Sequence, residues 1–248
     1  MFNINDAYFD GYYKEIWRAI IPEALTRDEV SFFIEHFSLT QSSKVLDLMC
    51  GYGRHSIELA RKGIVTTAVD NLLSYIEEVK LIANQENLPV KTFHSDILSF
   101  EDDQKYDLTI CMGNSLNFFN EDDTIKILSS VNKRLQTGGY LVINTWSLTE
   151  IAVKTFQQKT WGLVDGVKFL SDCKYLFFPA RIESECTMIF PDNHAEIKRG
   201  VDYIFSIAEF QKMLEYCGFA IQEIFSIPGR KKFALGDQRA YLVAKKAT

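Results

Sequence analysis

The sequence predicts an α/β fold: a parallel sheet covered by helices on both faces. Three observations carry that prediction. Strand-like apolar runs alternate five times with helix-like amphipathic runs between Val45 and Thr145. The first run, 45–56 (VLDLMCGYGRHS), ends in an acid and two closely spaced glycines, as a buried parallel strand turning sharply into a helix does. Further acids stand at the ends of the next two runs. At 248 residues the chain suits one such domain, spanning 1–248, with an insertion, whereas two full domains would be crowded.

Composition narrows the function classes. The formal net charge is −6 and no dense Lys/Arg block occurs, which disfavours a nucleic-acid partner. The five cysteines, Cys50, Cys111, Cys173, Cys186 and Cys217, show no C-x-x-C spacing and read as reduced, packed thiols. The first residues have no basic and apolar leader pattern, and no apolar run reaches membrane length. The expectation is a cytoplasmic protein with no membrane partner.

Taken in order, residues 1–40 form N-terminal helices. Tyr8, Phe9, Tyr12, Tyr13 and Trp17 fall at helical spacing and make one aromatic face, as a helix packed on the domain does. A second helix has Thr26 and Glu29 as a capping box and Val30, Phe33, Ile34 and Phe37 as its apolar face. After the first strand comes a helix at 55–62, stopped by Gly63. Strand 64–69 ends in Asp70, helix 72–86 follows, and strand 90–94 leads to Asp96 and Ile97. Strand 106–112 opens onto Gly113, Asn114 and Ser115. Helix 122–135 ends at Gly138 and Gly139, and strand 139–145 completes the fifth alternation.

From Trp146 the pattern changes. Residues 167–178, 181–190 and 194–205 read as three strands of an antiparallel insertion, 146–205. Ile182, Cys186, Met188 and Phe190 share one face, as do Ile197, Val201, Tyr203 and Phe205. Ser206 and Glu209 form a second capping box, and strands 220–226 and 238–244 close the chain around Arg230, Lys231 and Lys232.

A strand, a glycine turn and a helix N-terminus make a nucleotide-type site, because glycine admits a ligand to the backbone and the helix end presents free N–H groups. A dinucleotide is disfavoured: the third glycine of G-x-G-x-x-G is Ser56, and Asp47 would repel a pyrophosphate. The same acid suits a ligand carrying an ammonium and a sulfonium, which is S-adenosylmethionine. Asp70, 17 residues after Gly53, stands where an acid can bond both ribose hydroxyls. Asp96 can accept from the adenine amino group while Ile97 packs on the ring.

These residues resemble the class I S-adenosylmethionine-dependent methyltransferases, in particular a small-molecule branch whose first motif reads roughly LDLxCGxGRHxxxLA. The likeness runs from Phe9 to Lys245. It implies a Rossmann-like, seven-stranded, mostly parallel sheet with an antiparallel closing hairpin, plus the small antiparallel sheet inserted after strand five. Cofactor contacts are implied at Asp47, Cys50, Gly51 and Gly53, at Asp70, Asn71 and Leu72, at Asp96 and Ile97, and at Met112, Gly113 and Asn114. Substrate-side candidates are Tyr12, Tyr13, Trp17, His55, Asn117 and Trp146. One position departs from the family pattern, Met49 standing where its first glycine would be.

The resemblance further implies a small-molecule methyl acceptor, an N-terminal helix closing over the site, and an insertion serving as a lid or as a homodimer element. No catalytic base is assigned. His55 reads as a polar packing residue or a base, and His36, His94 and His194 lack metal-ligand spacing, so no metal is expected. Two other readings stay open. One is a dinucleotide oxidoreductase, whose Y-x-x-x-K signature occurs only at Tyr241 to Lys245 in a predicted strand; the other is a domain that binds S-adenosylmethionine without turnover.

Overall fold

The computed structural model describes residues 3–247, so Met1, Phe2 and Thr248 of the expected domain lie outside the described residues. Three helices come first, α1 (Ile4–Phe9), α2 (Tyr13–Ile20) and α3 (Glu23–His36). Strands and helices then follow as β1 (Lys44–Leu48), α4 (Arg54–Arg61), β2 (Val65–Asp70), α5 (Leu73–Gln85), β3 (Val90–His94), β4 (Tyr106–Cys111), α6 (Glu121–Arg134) and β5 (Leu135–Thr145); the expected fivefold alternation is broken once, since a turn and loop without a helix join β3 to β4. The insertion holds α7 (Thr149–Thr155), β6 (Lys159–Val164), β7 (Val167–Phe177), β8 (Ala180–Ile189) and β9 (Ala195–Tyr203). The chain closes with α8 (Ile207–Tyr216), β10 (Phe219–Ile227), β11 (Lys231–Lys232) and β12 (Ala240–Lys246).

The main sheet runs β11-β10-β12-β5-β4-β1-β2-β3, and β1, β2, β3, β4 and β5 are mutually parallel. It is the expected seven-stranded sheet with one addition, the two-residue β11 at the β10 edge. Period-two alternation assigns its sides. Leu46 and Leu48 pack with Leu128 and Phe210 from α6 and α8, while Val45 packs with Phe33 and Leu59 from α3 and α4. Both faces are thus covered, and the carboxyl ends of the parallel strands are left for a ligand.

Several local expectations are corrected. The aromatic N-terminal segment is two helices, because Gly11 adopts a left-handed φ of 72° between them. A capping box of Asn3 and Asp6 starts α1. Thr26 and Glu29 do not cap α3: Pro22, extended at φ −64° and ψ 138°, starts that helix one turn earlier and leaves both residues buried in its interior. Gly138 and Gly139 do not stop α6, which ends at Arg134; β5 begins at Leu135, four residues before the expected Gly139, and carries both glycines where its register against β4 shifts between Tyr106 and Leu108. The insertion has four strands, not three; β6 escaped notice because its Trp161 and Leu163 are exposed and give no buried alternation. Ile197, Val201 and Tyr203 do share one face of β9, but that face is not covered along its length, since Ile197 is exposed.

Candidate functional site

A cavity of about 680 Å³ opens at the carboxyl ends of β1, β2 and β4, roofed by the N-terminal helices and walled by the insertion. The turn after β1 contributes Asp47, Met49, Cys50 and Gly51. Asp47 is buried; desolvation raises its pKa, and its Oδ2 accepts from Ser56 Oγ at 2.6 Å. Gly53, at φ 74°, leaves room that a Cβ would take only 2.4 Å from Val79 Cγ2 of α5. It therefore permits the close helix packing that the dinucleotide pattern assigns to its third glycine, while Ser56 in that place holds Asp47.

Asp70 ties this turn to the end of β2. Its Oδ2 accepts from the Gly51 N–H and its Oδ1 from the Leu72 N–H, each at 2.9 Å. Burial nevertheless pushes its carboxyl up to about 6. Asn71 and Leu72 line the cavity beside it, as do Asp96, Ile97, Met112 and Gly113. The Leu98 N–H donates to Asp96 Oδ1 at 2.9 Å, which holds this carboxyl at the cavity edge.

Of the candidate residues, Gly53, Asn114, Asn117 and Tyr12 do not line the cavity. Asn114 is fully buried behind it: Oδ1 accepts from the N–H groups of Trp146 (2.9 Å) and Ser147 (3.0 Å), and Nδ2 donates to Ser147 Oγ (2.9 Å) and Asp202 Oδ1 (2.8 Å). Asn117 similarly donates to the Ser147 and Tyr203 carbonyls. Tyr12 turns to Phe190, with ring centroids 5.1 Å apart. Tyr13, Trp17 and Trp146 do reach the cavity, with Tyr13 stacked on Trp17 and Trp17 5.7 Å from Trp146.

His55 also lines the cavity, but its Nε2 lies 2.8 Å from Glu29 Oε2. Glu29 takes Arg54 Nη1 at 2.6 Å on the same oxygen and the Tyr241 hydroxyl at 2.7 Å on the other. Burial alone would raise the Glu29 carboxyl; His55 and Arg54 outweigh it and hold the pKa at about 2. Tyr241, buried in β12 and committed to Glu29, is thereby removed from any reductase role. The Arg230–Lys232 run is ion-paired to Asp28, Asp237 and Glu223 and does not line the cavity. Among the described residues no cluster of three His, Cys, Asp or Glu is placed to hold a metal, and no helix is long and apolar enough to cross a membrane.

Among the cavity residues that the sequence did not single out, three make contacts that shape the site. Asn5 bridges to β9, Tyr75 donates its hydroxyl to the Phe9 carbonyl at 2.6 Å, and Asp202 enters from the insertion. Only Asp202 left a signal, a lone acid between Val201 and Tyr203 in a strand.

Residues 45–139 match the family described as a methyltransferase domain. A putative methyltransferase of Bacillus subtilis (strain 168), YqeM, is 27% identical over 201 residues, covering 75% of this chain and 77% of that one. A S-adenosylmethionine-dependent methyltransferase structure from Clostridium acetobutylicum superposes with a TM-score of 0.83 at 19% identity, over 97% of this chain and 98% of that one. The S-adenosylmethionine-bound CalS10 structure from Micromonospora echinaspora, an amino pentose methyltransferase, gives 0.73 at 15% identity, over 96% and 97%. Fold and motif segment together define a class I methyltransferase. Its methyl donor is S-adenosylmethionine.

Proposed function

We propose that the protein methylates a small-molecule acceptor, and that it does so mainly by proximity and orientation. The observation that carries this reading is the shape of the cavity: about 680 Å³, walled on one side by parallel-strand ends and on the others by the N-terminal helices and the insertion. That volume lies within the range of small-molecule and cofactor sites. CalS10, which shares the fold, is by its name an amino pentose methyltransferase.

The lining fits the donor. In this reading Asp70 takes the ribose hydroxyls, Asp96 with Ile97 the adenine, and Asp47 with the Gly51 turn the cationic amino acid end; all of these residues line the cavity. When bound, S-adenosylmethionine supplies an activated methyl group with a good leaving group. The chain's own residues then have to orient the acceptor and exclude water, which Tyr13, Trp17 and Trp146 do by roofing the site. The insertion acts as the lid that selects the acceptor, since Ser184, Gly200 and Asp202, on one face of β8 and β9, line the cavity. Its opposite side carries the exposed Trp161, Leu170 and Ile197, which suits a second copy.

Incubation with methyl-labelled S-adenosylmethionine and a low-molecular-weight metabolite extract tests this. Label in small products supports the reading; cofactor binding with no labelled small product contradicts it.

A further inference from the structure

Resting on the small-molecule reading above, we propose that the acceptor is a basic amine and that Asp202, supplied by the insertion, recognises its nitrogen. Three observations lead there. The first is the position of Asp202. It stands at the end of β9, away from the acids that follow the parallel strands, and it lines the same cavity. The second is its anchoring. Oδ1 accepts from Asn114 Nδ2 at 2.8 Å and lies 3.5 Å from Ser147 Oγ, so the carboxyl is fixed in place. Among the described residues Oδ2 has no hydrogen-bond partner, so it is the oxygen left to meet a ligand.

The third is the charge balance around it. Among the described residues the cavity is lined by Asp6, Asp47, Asp70, Asp96, Asp123 and Asp202, and its only Lys or Arg is Arg54, whose Nη1 is already held by Glu29 and Thr26. The donor brings one sulfonium and one ammonium against one carboxylate, which leaves the lining strongly anionic. An anionic acceptor would be repelled. A neutral hydroxyl would enclose the Asp202 carboxylate in the filled cavity without a counter-charge, at considerable cost. An ammonium group satisfies both, and the aromatic rings of Tyr8, Tyr13, Trp17 and Trp146, which line the same cavity, add cation–π attraction.

The chemistry balances. The acceptor enters as R–NH3⁺ and passes one proton to Asp202 Oδ2, and from there to solvent. The freed nitrogen lone pair forms the new C–N bond as the C–S bond breaks, its electron pair going to sulfur. The products are a methylated ammonium and a neutral thioether, with no further co-reactant.

The test uses full-length protein, methyl-labelled S-adenosylmethionine and a low-molecular-weight metabolite extract separated on a cation exchanger at pH 7. Wild-type protein is expected to place the label in retained, basic products. Asp202→Asn is expected to slow that labelling at least tenfold, Asp202→Glu to restore part of it, and both to bind S-adenosylmethionine within about twofold of wild type by titration. Label in unretained products overturns the inference, and the wild-type arm decides this even where a variant fails to fold. A wild-type rate in Asp202→Asn overturns it as well. No labelled product despite cofactor binding contradicts the small-molecule reading itself, and the amine inference falls with it.

Discussion

The side-chain amide of Asn5 pairs with both backbone groups of Val201: its Nδ2 donates to the Val201 carbonyl at 2.9 Å, and its Oδ1 accepts from the Val201 N–H at 2.8 Å. Asn5 therefore acts as a one-residue strand against the edge of β9, and it fastens the N-terminal roof to the insertion wall. Asn5→Ala removes two hydrogen bonds worth about 0.5–1.5 kcal/mol each. The expected outcome is faster hydrogen exchange at the Val201 amide with little change in β1 or β4. Unchanged protection at Val201 would show that other contacts hold the roof.

Met49 occupies the left-handed region at φ 54°, where the family pattern has glycine. An L-residue there costs roughly 1–2 kcal/mol. The turn is thus kept by the surrounding structure and not by its residue. Met49→Gly is expected to be more stable than Met49→Ala by about 1 kcal/mol, the reverse of their usual order, because alanine keeps the strain and glycine releases it. Chemical denaturation of the two variants checks this; a more stable alanine variant contradicts it.

The pH dependence follows from carboxyls shifted in opposite directions. Burial, above all, pushes Asp70 and Asp202 up to about 6 from an ordinary 3.8. A carboxyl raised in the fold favours folding only when protonated, so its penalty is absent below pH 3.8 and complete above about 6. Glu29, held at about 2 against an ordinary 4.5, contributes stability above 4.5 that is lost as the pH falls toward 2. Calorimetry of the ligand-free protein is expected to show Tm falling from about pH 4.5 to 6.5, with a flatter profile once the cationic donor is bound. A Tm that rises across that window in the free protein contradicts the assignment.

His55 is a strut in the Glu29 network. His55→Ala is expected to cost about 1–3 kcal/mol of stability, since it leaves a buried acceptor one partner short. Turnover per folded molecule should fall less than tenfold. A loss of about a hundredfold or more, with cofactor binding intact, would instead mark His55 as an acid–base group.

Much of this was legible in the sequence because it rests on local pattern. Apolar runs with glycine stops placed β1 to β4 within a residue or two, and the Ser206 and Glu209 capping box is present as read. The same rule failed at Thr26 and Glu29, whose side chains are recruited by Arg54 and His55, 25 to 28 positions away. Asn114 was legible as a site-loop residue, but its role behind the cavity was not, because its partners at Trp146, Ser147 and Asp202 come from the insertion. What was missed depends on tertiary contact: Asn5 gains meaning only from an unpaired strand edge 196 positions away.

The account stands most directly on Asp70, whose two oxygens join the glycine turn to the end of β2. Isothermal titration of S-adenosylmethionine and of NAD into wild type and Asp70→Ala tests it. The account predicts one S-adenosylmethionine bound per chain and no NAD. It also predicts weakening of about ten- to a hundredfold in the variant, the loss of a charge-assisted hydrogen bond worth roughly 1.5–3 kcal/mol. Equal S-adenosylmethionine affinity in wild type and variant, or binding of NAD in its place, would contradict it.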